Sequence, residues 1–108
     1  MTQYPLTVAK IVSWYSSKQR SLEGSGLSLA QIREGDSGPK PGTSADFDGL
    51  GAFGQISGWV SGEFDFHVLR VADGKDIFWR HLDVCTVDEL EDTYADFLRN
   101  LQNPGSIE

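Results

Sequence analysis

Between Leu6 and Leu22 the apolar residues Leu6, Val8, Ile11, Val12, Tyr15 and Leu22 recur at spacings of one to three, with one longer gap across Ser16–Arg20. That period predicts an amphipathic helix, opened by Pro5 and stopped at Gly24 and Gly26. Trp14 falls beside the stripe and reads as a packing residue. From Leu27 the period drops to two, and "LSLAQIRE" predicts a strand. Three more strands follow: "QISGWVSG" (Gln55–Gly62), Glu63–Val71 and Asp76–Val84. Gly58, inside the second strand, marks a bulge or a close approach by another backbone. In "TVDELEDTYADFLRNL" the helical period returns, with Leu90, Tyr94, Phe97, Leu98 and Leu101 as its stripe. Thr86 and Glu89 stand at capping-box spacing, and four acidic residues (Asp88, Glu89, Glu91, Asp92) occupy the first turns, where the helix dipole favours them. Pro104-Gly105 ends the helix.

Between the first two strands, Gly35–Gly54 is dense in Gly, Pro, Ser and Asp and predicts one long loop. The element order implies an α+β fold: a four-stranded antiparallel meander sheet with N-terminal and C-terminal helices packed on one face. Residues 1–108 form a single domain on this reading, since the length suits one modest core.

The Asp73-Gly74 turn decides which side chains share a face of the last two strands. A two-residue type I′ turn pairs Ala72 with Lys75 and leaves both faces mixed. A three-residue loop, Ala72-Asp73-Gly74 with Gly74 left-handed, shifts the pairing by one. Phe64, Phe66 and Val68 then join Phe78, Leu82 and Val84 on one face. Glu63, Asp65, His67, Trp79, His81 and Asp83 gather on the other, with Leu69 and Ile77 toward the turn. Moving three apolar side chains from core to water costs on the order of 5 kcal/mol, more than turn preferences supply, so the segregated register is expected.

Charge narrows the partner. Sixteen acidic side chains against 9 basic give a net charge of −7, which repels nucleic acid and anionic membranes and suits a basic protein. The single cysteine, Cys85, excludes an internal disulfide and a cysteine-based zinc site. Its neighbours Val84 and Val87 suggest a buried or half-buried thiol. No basic region followed by an apolar run opens the chain, and no apolar stretch approaches the roughly 20 residues a bilayer demands, so a cytoplasmic protein is expected.

The polar face admits several chemistries. Asp65, His67, His81 and Asp83 on adjacent strands have the residue types of a metal site, but the chain holds only 2 histidines and no further nitrogen or sulfur ligand is evident. Glu63 and Asp83 could serve a hydrolase, yet a small sheet offers little concavity. Asp46 and Asp48 resemble the start of a calcium loop, but Gly49 falls at the fourth position and no glutamate stands at the twelfth. "GLGAFG" lacks a P-loop lysine and the strand-turn-helix setting. No cofactor is expected. Trp59 and Trp79 beside carboxylates match the composition of a protein-binding surface better. The expected partner-contact residues are Asp46, Asp48, Trp59, Glu63, Asp65, His67, Trp79, His81 and Asp83.

"GQISGWVSGEFDFHVLRVADGKDIFWRHLDV" followed by "DELEDTYADFLRNL" resembles the TriTu group of bacterial immunity proteins. The likeness rests on Trp59-Val60-Ser61-Gly62, the Asp65-x-x-Val68-Leu69 strand, the Gly-bearing turn, the aromatic-His strand and the C-terminal amphipathic helix, spanning Gln55–Leu101. The resemblance implies a non-enzymatic antitoxin that binds and blocks the active site of its cognate toxin domain. That toxin would be an ADP-ribosyltransferase modifying elongation factor Tu, delivered by a type VI secretion system on an Rhs-type carrier. A basic cleft is the expected docking site on such a toxin. The alternatives left open are an acidic adaptor or secretion chaperone, and a small metal-dependent hydrolase.

Overall fold

The computed structural model describes residues 4–35 and 40–105. The order is α1 (Val8–Gln19), a 3-10 turn (Arg20–Leu22), then five strands: β1 (Ser28–Glu34), β2 (Gly42–Asp48), β3 (Ala52–Trp59), β4 (Glu63–Arg70) and β5 (Lys75–Asp83). A second 3-10 turn (Val87–Leu90) leads into α2 (Glu91–Gln102). All strands pair antiparallel with their chain neighbours, in the order β1-β2-β3-β4-β5. The meander is as expected, but it has five strands rather than four. The extra strand, β2, lies inside the segment expected to be a loop. Of that segment, residues 36–39 lie outside the described residues.

β2 escapes a propensity reading because Gly, Ser and Asp are poor strand formers. Its alternation is nonetheless present: Thr43, Ala45 and Phe47 are buried on the helix side, while Ser44, Asp46 and Asp48 stand on the opposite side. Ladders to β1 on one flank and β3 on the other satisfy its backbone groups.

Both helices cover the same face of the sheet. α1 lies over β1 and β2, and α2 over β3, β4 and β5. The layer between them is aromatic. Phe97 of α2 meets Phe47 and Phe66 edge-on, at ring-centroid distances of 5.2 and 5.7 Å. The helices touch through Trp14 and Tyr94, 5.3 Å apart. Glu91 on α2 accepts from Trp14 Nε1 at 2.6 Å and from Lys18 Nζ at 2.6 Å. Burial pushes the Glu91 carboxyl upward, but the hydrogen bonds from Lys18 and Trp14 outweigh it and hold the group below its ordinary range. Thr43 Oγ1 donates to the Gly58 carbonyl at 2.9 Å, so Tyr15 must donate its phenolic proton to Thr43 at 2.8 Å. Burial pushes that phenol upward in pKa.

Several local expectations change. α1 begins at Val8 rather than Pro5, because Thr7 caps it: its hydroxyl accepts from the Lys10 N–H at 3.1 Å. Trp14 is buried, as a packing residue should be. Gly58 marks no bulge. A Cβ there would stand 2.3 Å from the Phe64 ring, so the close approach comes from a side chain rather than a backbone. Cys85 is exposed, not buried, because it lies past the end of β5, in the junction that leads to the second 3-10 turn beside α1. Thr86 and Glu89 do form the capping box, the Glu89 carboxylate accepting from the N–H groups of Cys85 (2.8 Å) and Thr86 (2.9 Å).

The β4–β5 hairpin reaches the expected register by a different route. Arg70 pairs with Lys75, leaving a four-residue loop, Val71 to Gly74, with Gly74 at φ +70°. That loop is one residue longer than the expected three. Leu69 then pairs with Asp76 but Val68 with Phe78, so Ile77 is an extra residue in β5. The bulge takes back the step that the longer loop adds. Beyond it Phe64 pairs with Leu82, and Asp65 with His81. Among the described residues, no helix is long and apolar enough to cross a membrane.

Candidate functional site

Both helices lie on one side, and among the described residues no layer covers the other face of the sheet. Strand alternation assigns its side chains. Pairing aligns them in rows across the strands: Gln31, Asp46, Gln55, His67 and Trp79 form one, and Arg33, Ser44, Ser57, Asp65 and His81 the next. Asp48, Phe53, Leu69 and Asp76 form a third toward the hairpin turn. All nine residues singled out from the sequence lie on this face. Asp46 and Asp48 do so from β2 rather than from a loop.

Their settings differ. Asp46 is only 5% exposed, clamped by the Arg33 guanidinium and by Gln55 Nε2 at 2.9 Å. Its charge is internally matched, so it presents Arg33 rather than itself. Glu63 pairs with Lys40 at 2.8 Å, and that hydrogen bond holds its carboxyl below the ordinary range. His81 sits between two carboxylates, with Nδ1 2.7 Å from Asp65 and Nε2 3.4 Å from Asp83. The Asp65 hydrogen bond, opposed by partial burial and reinforced by both negative charges, raises its pKa above the ordinary 6.5. His67 Nε2 is 2.6 Å from Asp76. Trp79 is 65% exposed and stands between these two His–Asp pairs. Trp59 is half-buried, and a Cβ on Gly42 would come 2.8 Å from its indole nitrogen. That glycine therefore lets the Trp59 ring pack close against β2.

The sequence reading missed Arg33, Phe53, Gln55, Ser57 and Asp76 on this face. Gln55 and Ser57 alternate with Ile56 and Gly58, a signal that was available. Phe53, 36% exposed, was hidden in the supposed loop.

This geometry suits contact better than catalysis. The face holds a shallow groove of about 350 Å³, lined by Arg33, Ser44, Ser57 and Trp59 among others. A larger groove, about 730 Å³, lies on the helix side between α1 and the Cys85–Val87 junction, away from the paired histidines and carboxylates. Among the described residues, no three His, Cys, Asp or Glu side chains converge as a metal set would.

A family model described as "Immunity protein TriTu" matches residues 9–100. No curated protein matches the chain. The family match takes in all five strands and nearly the whole of both helices. The chain therefore belongs to the TriTu immunity protein family, a membership that implies binding a cognate toxin protein without a catalytic step of its own.

Proposed function

We propose that the uncovered sheet face is the surface with which this immunity protein binds its toxin, and that it blocks the toxin's active site. The observation that carries the reading is the asymmetry of the fold. Two helices seal one face, while the other presents Trp79 at 65% exposure among carboxylates. Trp79 shares this face with Phe53, Leu69 and the half-buried Trp59, and aromatic anchors among charges are the usual composition of binding hot spots.

The family resemblance extends the reading to a type VI secretion, Rhs-borne ADP-ribosyltransferase acting on elongation factor Tu. Such an enzyme binds a dinucleotide carrying two phosphates, so its cleft requires positive charge. A protein with net charge −7 is steered toward that cleft over several ångströms and enters it faster than a neutral one. Occupying the cleft excludes the dinucleotide without any chemistry. This acidic, folded plug acts in the compartment where the target works, and neither nucleic acid nor membrane takes part.

Co-expression tests it. Bacteria producing the toxin domain should stop growing, and this protein should restore growth and unmodified elongation factor Tu. Failure to restore growth, with both proteins present at comparable levels, would remove the immunity reading for that toxin. An acidic adaptor would bind without restoring growth.

A further inference from the structure

The open face carries an imbalance that names the chemistry of its contact. None of the outward positions on β3, β4 and β5 is a lysine or arginine, whereas Glu63, Asp65, Asp76 and Asp83 all point outward there. Arg33, the arginine on β1 of this face, is committed to Asp46. Glu63 draws Lys40 from outside the sheet. Among the described residues, the remaining three carboxylates are partnered by His67 and His81 and by no lysine or arginine. The side chains of Asp76 and Asp83 are 69% and 74% exposed; Asp76 lies one row from the exposed indole of Trp79, and Asp83 two rows away on its other side, beyond His81.

An apolar partner set down here would strip water from Asp76 and Asp83 and give nothing back, a cost that grows with burial. A cation answers both features at once. Indole is the strongest aromatic partner for a cation, and arginine occupies such sites more often than lysine. A guanidinium is planar, stacks on the ring and still offers its N–H fork to a neighbouring carboxylate, whereas an ammonium satisfies one contact or the other. Resting on the reading that the open face meets the toxin, we propose that Trp79 receives an arginine side chain of the toxin, stacked on the indole and hydrogen-bonded to Asp76, in the neighbouring row of the same face. His67 is the positioning residue: opposite Trp79 and 2.6 Å from Asp76, it holds that carboxylate beside the ring. One toxin arginine then carries a disproportionate share of recognition.

Calorimetric titration with the cognate toxin domain separates this inference from the reading beneath it. Ser57→Arg and Gln55→Arg each place bulk and charge in the middle of the face, and melting curves confirm that each variant is folded. If both bind as wild type does, the open face is not the contact. If they lose binding, Trp79 decides. Trp79→Ala should weaken the complex by about tenfold to thirtyfold, and Asp76→Asn by a smaller factor. Trp79→Phe should retain part of the affinity. Replacing toxin surface arginines by lysine one at a time should find one whose loss weakens binding to wild type but not to Trp79→Ala. Binding by Trp79→Ala within about twofold of wild type, or no arginine coupled to Trp79, would overturn the inference while leaving the docking face standing.

Discussion

Gly58 offers the sharpest test of how the sheet packs. Its φ is not among the positive values, so the backbone tolerates a side chain. Gly→Ala at such a position stabilises by about 0.4–1 kcal/mol through the unfolded chain. Here the folded state opposes that gain. A Cβ at Gly58 would stand 2.3, 2.7 and 2.9 Å from three atoms of the Phe64 ring, well inside van der Waals contact. Phe64 is fully buried and pairs through its backbone with both Gly58 and Leu82, so the ring has no route to solvent. Overpacking of this kind costs about 1–3 kcal/mol. The net prediction for Gly58→Ala is a loss of about 1–2 kcal/mol, seen in urea unfolding as a lower midpoint with an unchanged slope. The melting temperature should fall by roughly 5–15 °C for a domain of this size. In the pair Gly58→Ala/Phe64→Leu the two costs should fall short of additive, because a smaller side chain vacates the space the new methyl needs. If Gly58→Ala is as stable as wild type or more so, the Phe64 packing described above is wrong.

Three further expectations follow from the open face and the helix contact. His81 should titrate above 6.5 in proton NMR, because Asp65 favours its charged form. The stability it adds is therefore complete below 6.5 and is lost as pH rises through the folded-state value. Asp65→Asn should bring the midpoint back toward 6.5, and a wild-type midpoint at or below it would refute the pairing. Asp46→Ala should destabilise by about 1–2 kcal/mol in urea, since it leaves Gln55 without its acceptor; Arg33, about half exposed, recovers much of its hydration. An effect below about 0.3 kcal/mol would mean that the clamp contributes nothing. Trp14→Phe keeps the aromatic core but removes the 2.6 Å bond to Glu91, and should cost about 1 kcal/mol in the same assay. No loss there would show that the helix–helix hydrogen bond is replaceable by water.

Much of this architecture was legible because burial enforces strict alternation. Phe64, Phe66 and Val68 had to share a face with Phe78, Leu82 and Val84, and that requirement placed Asp65, His67, Trp79, His81 and Asp83 together opposite them. The loop length was misread, yet the face assignment held, because the Ile77 bulge absorbs the extra loop residue. Burial selects the register, and the turn accommodates it. β2 was illegible for the complementary reason. Its inward set is Thr43, Ala45 and Phe47, too weak an apolar signal against Gly42, Ser44 and two aspartates. What makes it a strand is the ladder on each flank, a long-range cause that no local window contains. The covering of only one sheet face was implied by two helices of opposite chain position. The internal use of Asp46 was not, because its partner Arg33 is 13 residues away across a connection the sequence left unread.

The central claim is that the toxin meets the sheet and not the helices, and the two sides carry separate reporters. Trp79 is exposed on the sheet face, and the Cys85 thiol is exposed beside α1 on the other side. Hydroxyl-radical footprinting of Trp79 and alkylation of Cys85, each read by mass spectrometry with and without the cognate toxin domain, compare them in one complex. The account predicts that Trp79 oxidation falls sharply on binding while Cys85 alkylates at its free rate. Protection of Cys85 with Trp79 still fully oxidised would contradict it.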